Sequence, residues 1–327
     1  MQEAAHTAGF ETTPCNACGA STDTELFAAT DHLSHEQFRV VRCSACGLAF
    51  VNPRPIAERI ERYYPEMYYG KRHPLFPGLM MRLRVRKLPR LAGSPRLLDV
   101  GCGHGDFILA CQRVGWTVAG VEQEHSPIMR MKRELGVEVY APAQLRGLPS
   151  ASFDAVTFWH VLEHLPDPAE TLAQIRRLLK PGGVLLVEVP NFGGWEGRVG
   201  GPAWFHLDVP RHLYDFDRGS LEFVLRRQGF ATIRWETFSL EYGAFGFAQT
   251  VLNRICRHPN HLFQLLIRRG HPHARSLRDT VISVAAFPVL LAAGLLASVV
   301  AAGFGAGGVL RVWARKPADL SSSSGVR

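Results

Sequence analysis

The segment that most constrains the fold is a short apolar run that ends in three alternating glycines. Residues 96–100 read Arg-Leu-Leu-Asp-Val and lead directly into Gly101, Gly103 and Gly105. The apolar run predicts a buried strand, and glycines at this spacing let the backbone turn sharply and approach a ligand closely. A strand, a glycine turn and a helix together form the first unit of a parallel sheet covered by helices.

The same alternation of strands and helices continues along the chain. A helix is predicted to begin at Asp167, because this N-cap precedes Pro168 and the capping-box residue Glu170. A second helix is predicted over residues 220–228. Further strands are predicted at residues 117–122, 136–140, 153–160, 184–189, 230–238 and 309–314. The predicted fold class is therefore α/β, a Rossmann-like core with a seven-stranded sheet.

A carboxylate stands where a nucleotide ribose would need one. Glu122 closes the second predicted strand, and a carboxylate at this place can accept hydrogen bonds from both ribose hydroxyls. A dinucleotide fingerprint requires another glycine where the chain has Asp106, which disfavours a nicotinamide cofactor.

These residues resemble motif I of the class I S-adenosylmethionine-dependent methyltransferases, in particular the ubiquinone-type branch. The resemblance implies that the glycine loop holds the methionine part of S-adenosylmethionine and that Glu122 holds its ribose. Gln144 stands where members of this family often carry an aspartate near the adenine. Carried over, the cofactor-binding residues are Asp99, Gly101, Gly103, Gly105, Glu122, Gln144 and Phe158.

Two histidines follow the fourth predicted strand. Methyl transfer to a hydroxyl needs a base, or a cation, to manage the proton of the acceptor, and His160 and His164 are the candidates for this role. The stretch resembles quinone O-methyltransferases, in which two acids and a histidine can hold a divalent ion. Glu163 and His164 match that set, whereas His160 replaces the first acid. The alternative is that Glu163 and His164 only cap and orient the next loop.

A second histidine-bearing loop spans residues 204–216 and resembles the Pro-Arg-His-Leu segment of bacterial methyltransferases allied to the ubiquinone-type enzymes. The resemblance implies a loop that covers the substrate. Its alternative is a packed loop in which Arg211 pairs with Asp208 or Asp215. The candidate catalytic residues of the loop are His206, Asp208, Arg211 and His212.

Four of the seven cysteines form two tight pairs near the start of the chain. The ligand set Cys15, Cys18, Cys43 and Cys46 would complete the tetrahedral coordination of a structural Zn(II). Cysteines in this arrangement indicate a reducing compartment. Residues 15–50 resemble the zinc ribbon that precedes some methyltransferases, and residues 51–95 are interpreted as a connector or cap.

An apolar insertion, residues 239–307, is predicted between the last two strands. Residues 280–310 contain no formal charge, a length sufficient to cross a bilayer. Basic residues flank both ends, which favours placing both ends on the cytoplasmic side. We expect a helical hairpin that dips into the membrane, with a break at Pro288, at Gly294 or among the glycines from Gly303 to Gly308. A single transmembrane helix and a hydrophobic lid are the alternatives.

The whole sequence predicts O-methylation of a small or lipid-linked acceptor, such as a quinol or a polyprenyl-linked sugar, at the cytoplasmic face of a membrane. No Asn-Pro-Pro-Tyr motif follows the fourth strand, which argues against methylation of nucleobase amino groups. The net charge of +8 suits anionic partners. An RNA methyltransferase and a non-catalytic zinc-containing membrane adaptor stay open as alternatives, although nucleic acid is not the expected partner. Residues 1–14 and 318–327 are expected to be disordered.

Overall fold

The computed structural model describes residues 9–64, 77–123, 136–240, 242–267 and 276–318. The chain divides into two units. Unit 1 contains Met1–Pro74, Val189–Leu221 and Glu236–Leu310, and unit 2 contains Leu75–Glu188, Glu222–Trp235 and Arg311–Arg327.

The strands, in chain order, are β1 (Phe10–Glu11), β2 (Asp23–Thr30), β3 (Gln37–Cys43), β4 (Ala49–Val51), β5 (Arg54–Pro55), β6 (Arg96–Val100), β7 (Thr117–Val121), β8 (Glu138–Tyr140), β9 (Phe153–Trp159), β10 (Leu179–Pro190), β11 (Tyr214–Asp215), β12 (Ala231–Glu236) and β13 (Val309–Arg315). The α-helices are α1 (Ala57–Ile60), α2 (Pro77–Val85), α3 (Asp106–Gln112), α4 (Pro168–Leu178), α5 (Trp195–Gly200), α6 (Arg218–Arg227), α7 (Gly243–Ile255), α8 (His261–Ile267) and α9 (Leu277–Gly303). Short 3₁₀ turns occupy Glu61–Tyr63, Pro142–Gly147, Leu162–His164, Gly201–Ala203 and Phe205–Leu207.

The core of unit 2 is a seven-stranded sheet in the order β12-β13-β10-β9-β6-β7-β8. Strands β10, β9, β6, β7 and β8 pair in parallel. The chain moves outward from β6 in both directions, so the strand order reverses between β6 and β9. Open sheets of this kind bind ligands beyond the carboxyl ends of the strands at such a reversal. The predicted α/β class and seven-stranded sheet are confirmed.

Local chemistry explains why helix α4 forms where the sequence predicts it. The Asp167 carboxylate accepts a hydrogen bond from the Glu170 backbone N–H at 2.9 Å. Leu172, Ile175 and Leu178 are buried on one face of the helix. The following strand, β10, is longer than predicted, because Leu179 already pairs with β9 before an irregularity that ends at Val184.

Unit 1 contains a four-stranded antiparallel sheet, ordered β11-β4-β3-β2, and a two-stranded ribbon of β1 and β5. Phe10 pairs with Pro55 and Glu11 with Arg54, so the expectation of disorder over residues 1–14 is wrong for β1. Residues 1–8 and 319–327, which complete the two segments expected to be disordered, lie outside the described residues.

The apolar insertion forms helices α7, α8 and α9. Helix α9 is continuous over 27 residues with Pro288 and Gly294 inside it, so a break at either residue is wrong. The helix ends at Gly303, the first of the glycines predicted as the third place to break. A proline inside a helix removes one backbone hydrogen bond, and the hydrogen bonds on either side of it keep the helix continuous. Gly294 instead serves packing, since a Cβ there would lie 2.7 Å from the carbonyl oxygen of Ala244 in α7. Among the described residues, α9 is the helix that is long and apolar enough to cross a membrane, and only 17% of its most apolar window is buried.

Candidate active site

The glycine loop after β6 adopts a backbone that other residues rarely adopt. Gly101, Gly103 and Gly105 have φ angles of 73°, 55° and 79°, and Gly105 is the N-cap of α3. A Cβ on Gly101 would lie 2.3 Å from Cγ2 of Val161. The loop therefore requires glycine both for its conformation and for its close approach to the next segment.

Glu122 lies beside this loop, as the sequence predicts. Its Oε2 accepts a hydrogen bond from the Gly103 N–H at 2.7 Å, and its Oε1 accepts one from the Gln123 N–H at 2.8 Å. The carboxylate is thus fixed next to the glycine backbone. Each carboxylate oxygen has further lone pairs with which to accept ligand hydroxyls.

Asp99 lies behind the loop in β6 and is almost fully buried. Its Oδ1 accepts a hydrogen bond from the Thr157 hydroxyl at 2.6 Å. Burial raises the pKa of Asp99 to about 7, although the Thr157 hydrogen bond and the charge of Arg84 act in the opposite direction. Asp99 therefore connects β6 to β9 beneath the site.

The glycine loop and Glu122 fit the cofactor that the sequence predicts. The loop offers backbone at a place where a side chain cannot stand, and the carboxylate is held against it. Helix α3 also begins here, and its first N–H groups favour a negatively charged or polar ligand group.

Two of the predicted cofactor residues have other roles in the structure. The side-chain oxygen of Gln144 accepts a hydrogen bond from the Ala141 N–H at 2.7 Å and so caps the 3₁₀ turn Pro142–Gly147. Phe158 is fully buried in β9. A side chain without exposed surface cannot line a ligand site, so the prediction for Phe158 is wrong in this respect.

His160 lies in a buried cluster of charges. Its Nε2 is 3.2 Å from Oε1 of Glu188, and its Nδ1 is 3.5 Å from Oε1 of Glu163. The Nε of Arg311 donates to Oε2 of Glu188 at 2.5 Å. His160 also has a φ of 56°, an uncommon conformation that often marks a constrained position.

These neighbours decide the protonation of the cluster. Burial alone lowers the pKa of His160, but the hydrogen bonds and charges of Glu163 and Glu188 outweigh it and raise the pKa to about 9. Burial opposes ionisation of Glu188, yet His160 and Arg311 lower its pKa to about 2. The raised pKa favours the protonated ring at neutral pH, which suits the cation alternative better than the base, and the role of His160 at the acceptor stays a prediction.

Glu163 and His164 lie together in the 3₁₀ turn Leu162–His164. Glu163 is buried, whereas His164 is half-buried. The His164 N–H donates to the Val161 carbonyl oxygen at 3.0 Å, which closes the turn. The divalent ion near Glu163 stays a prediction.

The second histidine-bearing loop, in unit 1, is organised around Arg211, which is 0% exposed. Its Nη2 donates to Asp208 Oδ1 at 2.7 Å and to Asp31 Oδ1 at 2.6 Å. Its Nη1 donates to the Tyr63 carbonyl oxygen at 3.1 Å. The packed-loop alternative, with Arg211 paired to Asp208, matches this geometry, and the functional prediction for Arg211 is wrong.

Charge pairing holds this arrangement in its ionised form. Burial opposes ionisation of Asp208, but the charge and hydrogen bonds of Arg211 outweigh it and hold its pKa far below the usual range. Asp31 is the partner that the sequence did not predict, because it lies 180 positions away from Arg211.

The two histidines of this loop are buried as well. The ring of His206 packs edge-on against Trp204, Phe205 and Tyr242, with centroid distances of 5.7, 4.8 and 5.8 Å. Nδ1 of His212 lies 2.7 Å from the His206 carbonyl oxygen. Both side chains thus contribute to the packing of the loop, and the catalytic roles of His206 and His212 stay predictions.

The four paired cysteines come together at one end of the four-stranded sheet. Sγ of Cys15 is 3.5 Å from that of Cys46, and Sγ of Cys18 is 3.5 Å from that of Cys43. All four sulfur atoms lie within 4.8 Å of one another. Ligands at a tetrahedral Zn–S distance of about 2.3 Å are about 3.8 Å apart, so the set fits a zinc ion.

Unit 1 also contains a cavity of about 460 Å³ at the end of α9. Its lining combines polar, basic and aromatic residues, namely Asn191, Gly193, Trp195, Arg198, Asp217, Arg218, Gly219, Phe304, Gly305 and Ala306. The Phe304 side chain is exposed.

Known proteins resemble the chain across this core. The family model described as a methyltransferase domain matches residues 72–234. The ubiquinone biosynthesis O-methyltransferase of Thiobacillus denitrificans is 33% identical over 162 residues, which cover 46% of this chain and 68% of that protein. The ubiquinone biosynthesis O-methyltransferase of Histophilus somni is 30% identical over 137 residues, which cover 38% of this chain and 57% of that protein. The match therefore spans little more than half the length of the Histophilus protein.

Among solved structures, an S-adenosylmethionine-dependent methyltransferase from Archaeoglobus fulgidus is 22% identical with a TM-score of 0.46, and the match covers 73% of this chain and 94% of that one. The family assignment rests on sequence, namely on the match to the methyltransferase-domain model and on the Thiobacillus relative, of which 68% is matched at 33% identity. The chain belongs to the S-adenosylmethionine-dependent methyltransferase family.

Proposed function

We propose that the chain transfers a methyl group from S-adenosylmethionine to an oxygen atom of a small or lipid-linked acceptor, such as a quinol or a polyprenyl-linked sugar. The observation that carries the proposal is the glycine loop with Glu122 held against Gly103 at 2.7 Å. When bound, S-adenosylmethionine supplies an electrophilic methyl group. The loop binds the cofactor through backbone contacts, and Glu122 accepts hydrogen bonds from its hydroxyls.

The names of the relatives support oxygen as the acceptor atom. The matched proteins from Thiobacillus denitrificans and Histophilus somni are named O-methyltransferases, and both are at least 30% identical to this chain. A hydroxyl acceptor must lose its proton as the methyl group arrives. Because Glu163 and Glu188 raise the pKa of His160 and favour its protonated form, we assign the role of base to the half-buried His164.

The exposed surface of α9 supports a proposed contact with a membrane. Its exposed large apolar residues include Leu277, Val281, Val284, Val289 and Leu296. An exposed apolar surface of this size marks a binding partner or a membrane. The cavity at the end of α9 adds Arg198, Arg218 and Phe304, a combination of basic and aromatic residues typical of a membrane interface. These features support the proposal that the enzyme lies at the cytoplasmic face of a membrane, where a lipid-linked acceptor would meet it.

Vesicle flotation tests this placement. Val284→Lys with Leu296→Lys should abolish flotation with anionic phospholipid vesicles, because a lysine at the centre of a membrane-inserted helix costs about 3 kcal/mol. Val114→Lys is the matched control, since Val114 is equally exposed but lies outside the insertion. Equal flotation of the double variant and the wild type would contradict the membrane proposal.

A structural zinc ion in the four-cysteine cluster is also proposed. The support is the approach of all four sulfur atoms to within 4.8 Å. Metal analysis of the purified chain should find zinc bound at this cluster, and Cys18→Ser should lose it together with much of the stability of unit 1. Cys256→Ser is the control, because Cys256 lies outside the cluster.

Activity is tested with methyl-labelled S-adenosylmethionine and a panel of prenylated catechols and polyprenyl-linked sugars. Label recovered in an ether of one acceptor supports the proposal. Label transferred to RNA instead, with binding that weakens steeply as salt rises, would favour the RNA methyltransferase. No transfer to any acceptor and no cofactor binding by the folded protein would favour the non-catalytic adaptor.

A further inference from the structure

Two histidines and an aspartate of the apolar insertion lie together at the first turn of α9. His258 precedes α8, His261 is the first residue of α8, and Asp279 lies in the first turn of α9. One ligand atom of each residue can be chosen so that all lie within 4.8 Å of one another. His261 and Asp279 are 0% exposed, whereas the side chain of His258 is 38% exposed.

The hydrogen bonds around His261 fix its protonation. The Thr280 hydroxyl donates its one proton to the Ser276 carbonyl oxygen at 2.8 Å. Nε2 of His261 lies 3.0 Å from the same hydroxyl oxygen, so Nε2 carries the proton and donates it. Nδ1 of a neutral ring then carries a lone pair, and this buried atom has no hydrogen-bond partner among the described residues.

Asp279 presents a negative charge to the same space. Its Oδ2 accepts hydrogen bonds from the N–H groups of Arg257 at 3.2 Å and His258 at 3.1 Å, and lies 2.8 Å from Nδ1 of His258. Its Oδ1 is 3.1 Å from Nη1 of Arg278. A buried imidazole nitrogen without a hydrogen-bond partner is costly, and a cation bound by this nitrogen would satisfy it.

We propose that Nδ1 of His258, Nδ1 of His261 and a carboxylate oxygen of Asp279 bind a divalent transition-metal ion. Two imidazoles and one carboxylate suit Zn(II), Co(II) or Fe(II) and do not suit Mg(II) or Ca(II), which prefer oxygen ligands. The Thr280 hydroxyl holds the His261 ring in the ligating tautomer, the usual task of a residue behind a metal ligand. The exposed His258 opens the site to water, which completes the coordination.

Binding has a simple structural consequence. The ion would join the segment before α8 and the first residue of α8 to the first turn of α9. It would thereby fix the start of the apolar helix against the rest of unit 1. For Nδ1 of His258 to ligate, its proton must move to Nε2 or to solvent.

Cobalt(II) titration of the full-length protein tests the proposal, because thiolate and imidazole ligands give different absorption bands. We expect two classes of bound Co(II). One class gives intense sulfur-to-metal charge-transfer bands at the four-cysteine cluster, and the other gives weak visible bands from the histidine and aspartate ligands.

His261→Gln and Asp279→Asn should remove the weak bands and lower the bound metal by one ion per chain, with the thiolate bands unchanged. Those thiolate bands also report that each variant is folded. Cys18→Ser should do the reverse. The proposal is overturned if His261→Gln and Asp279→Asn bind as much Co(II) as the wild type, or if the wild type binds Co(II) only through thiolates.

Discussion

The glycine loop of unit 2 and the histidine-bearing loop of unit 1 are equally conspicuous in the sequence, yet they have different roles. The first is an open turn whose glycines have positive φ angles, and Glu122 is fixed beside it. In the second, Arg211 and both histidines are buried. A glycine pattern indicates a backbone conformation that other residues rarely adopt. A polar side chain, by contrast, can either bind a ligand or form hydrogen bonds inside the protein. The two regions should therefore respond differently to substitution.

The largest effect is expected in the histidine-bearing loop. Arg211→Met leaves the buried Asp31 and the partly buried Asp208 without their cation, which should lower the free energy of unfolding by about 3–5 kcal/mol. Urea denaturation measures this loss. The control is Arg146→Met, because Arg146 and Glu170 form an exposed pair worth less than about 1 kcal/mol. Equal losses for the two variants would contradict the structural role of Arg211.

A smaller effect on stability but a large one on binding is expected in the glycine loop. In Gly101→Ala the new methyl group clashes with Val161 and the positive φ is strained. Together these should weaken cofactor binding about a hundredfold or more. Gly136→Ala is the matched control, since Gly136 has a φ of 63° with no atom within 4 Å of an added Cβ. Unchanged affinity in Gly101→Ala would place the cofactor elsewhere.

The charge cluster around His160 predicts a pH dependence of stability. Its folded pKa of about 9 lies above the usual value of 6.5, so the stabilisation is complete below about pH 6.5 and disappears as pH rises through 9. The side chain is largely buried, and the expected loss is about 2–3 kcal/mol. His160→Gln should remove this alkaline decline in urea denaturation curves. A wild type whose stability is constant from pH 6.5 to 9 would show that the cluster does not hold the proton.

The smallest effect is expected at Gln144. Because its side-chain oxygen caps the 3₁₀ turn Pro142–Gly147, Gln144→Ala should change cofactor affinity by less than about threefold, and the loss of the cap should lower stability by about 1 kcal/mol. A tenfold or greater loss of affinity would restore the predicted contact with the cofactor. Calorimetry and thermal denaturation of the same sample separate the two effects.

The parts of the fold that depend on residues close together in the sequence were predictable. The capping box at Asp167, the glycine loop and the acid at the end of β7 are set by short-range patterns, and the structure contains all three. The pairing of β12 with β13 across the apolar insertion also followed, because an alternating strand needed a partner.

The roles of individual polar residues were not predictable in the same way. The pKa of His160 is raised because Glu188, on a neighbouring strand, approaches it together with Glu163. Nothing in the sequence near His160 indicates Glu188. The continuity of α9 likewise depends on tertiary packing, since Gly294 meets the Ala244 backbone of α7 rather than breaking the helix.

The central claim is that the glycine loop and Glu122 bind S-adenosylmethionine. Calorimetric titration of the detergent-solubilised protein with S-adenosylhomocysteine tests it most directly, alongside Glu122→Ala. We predict one site of micromolar affinity in the wild type, weakened at least about tenfold in the variant by the loss of the ribose hydrogen bonds. No binding to the folded wild type, or equal binding by the two proteins, would contradict the claim.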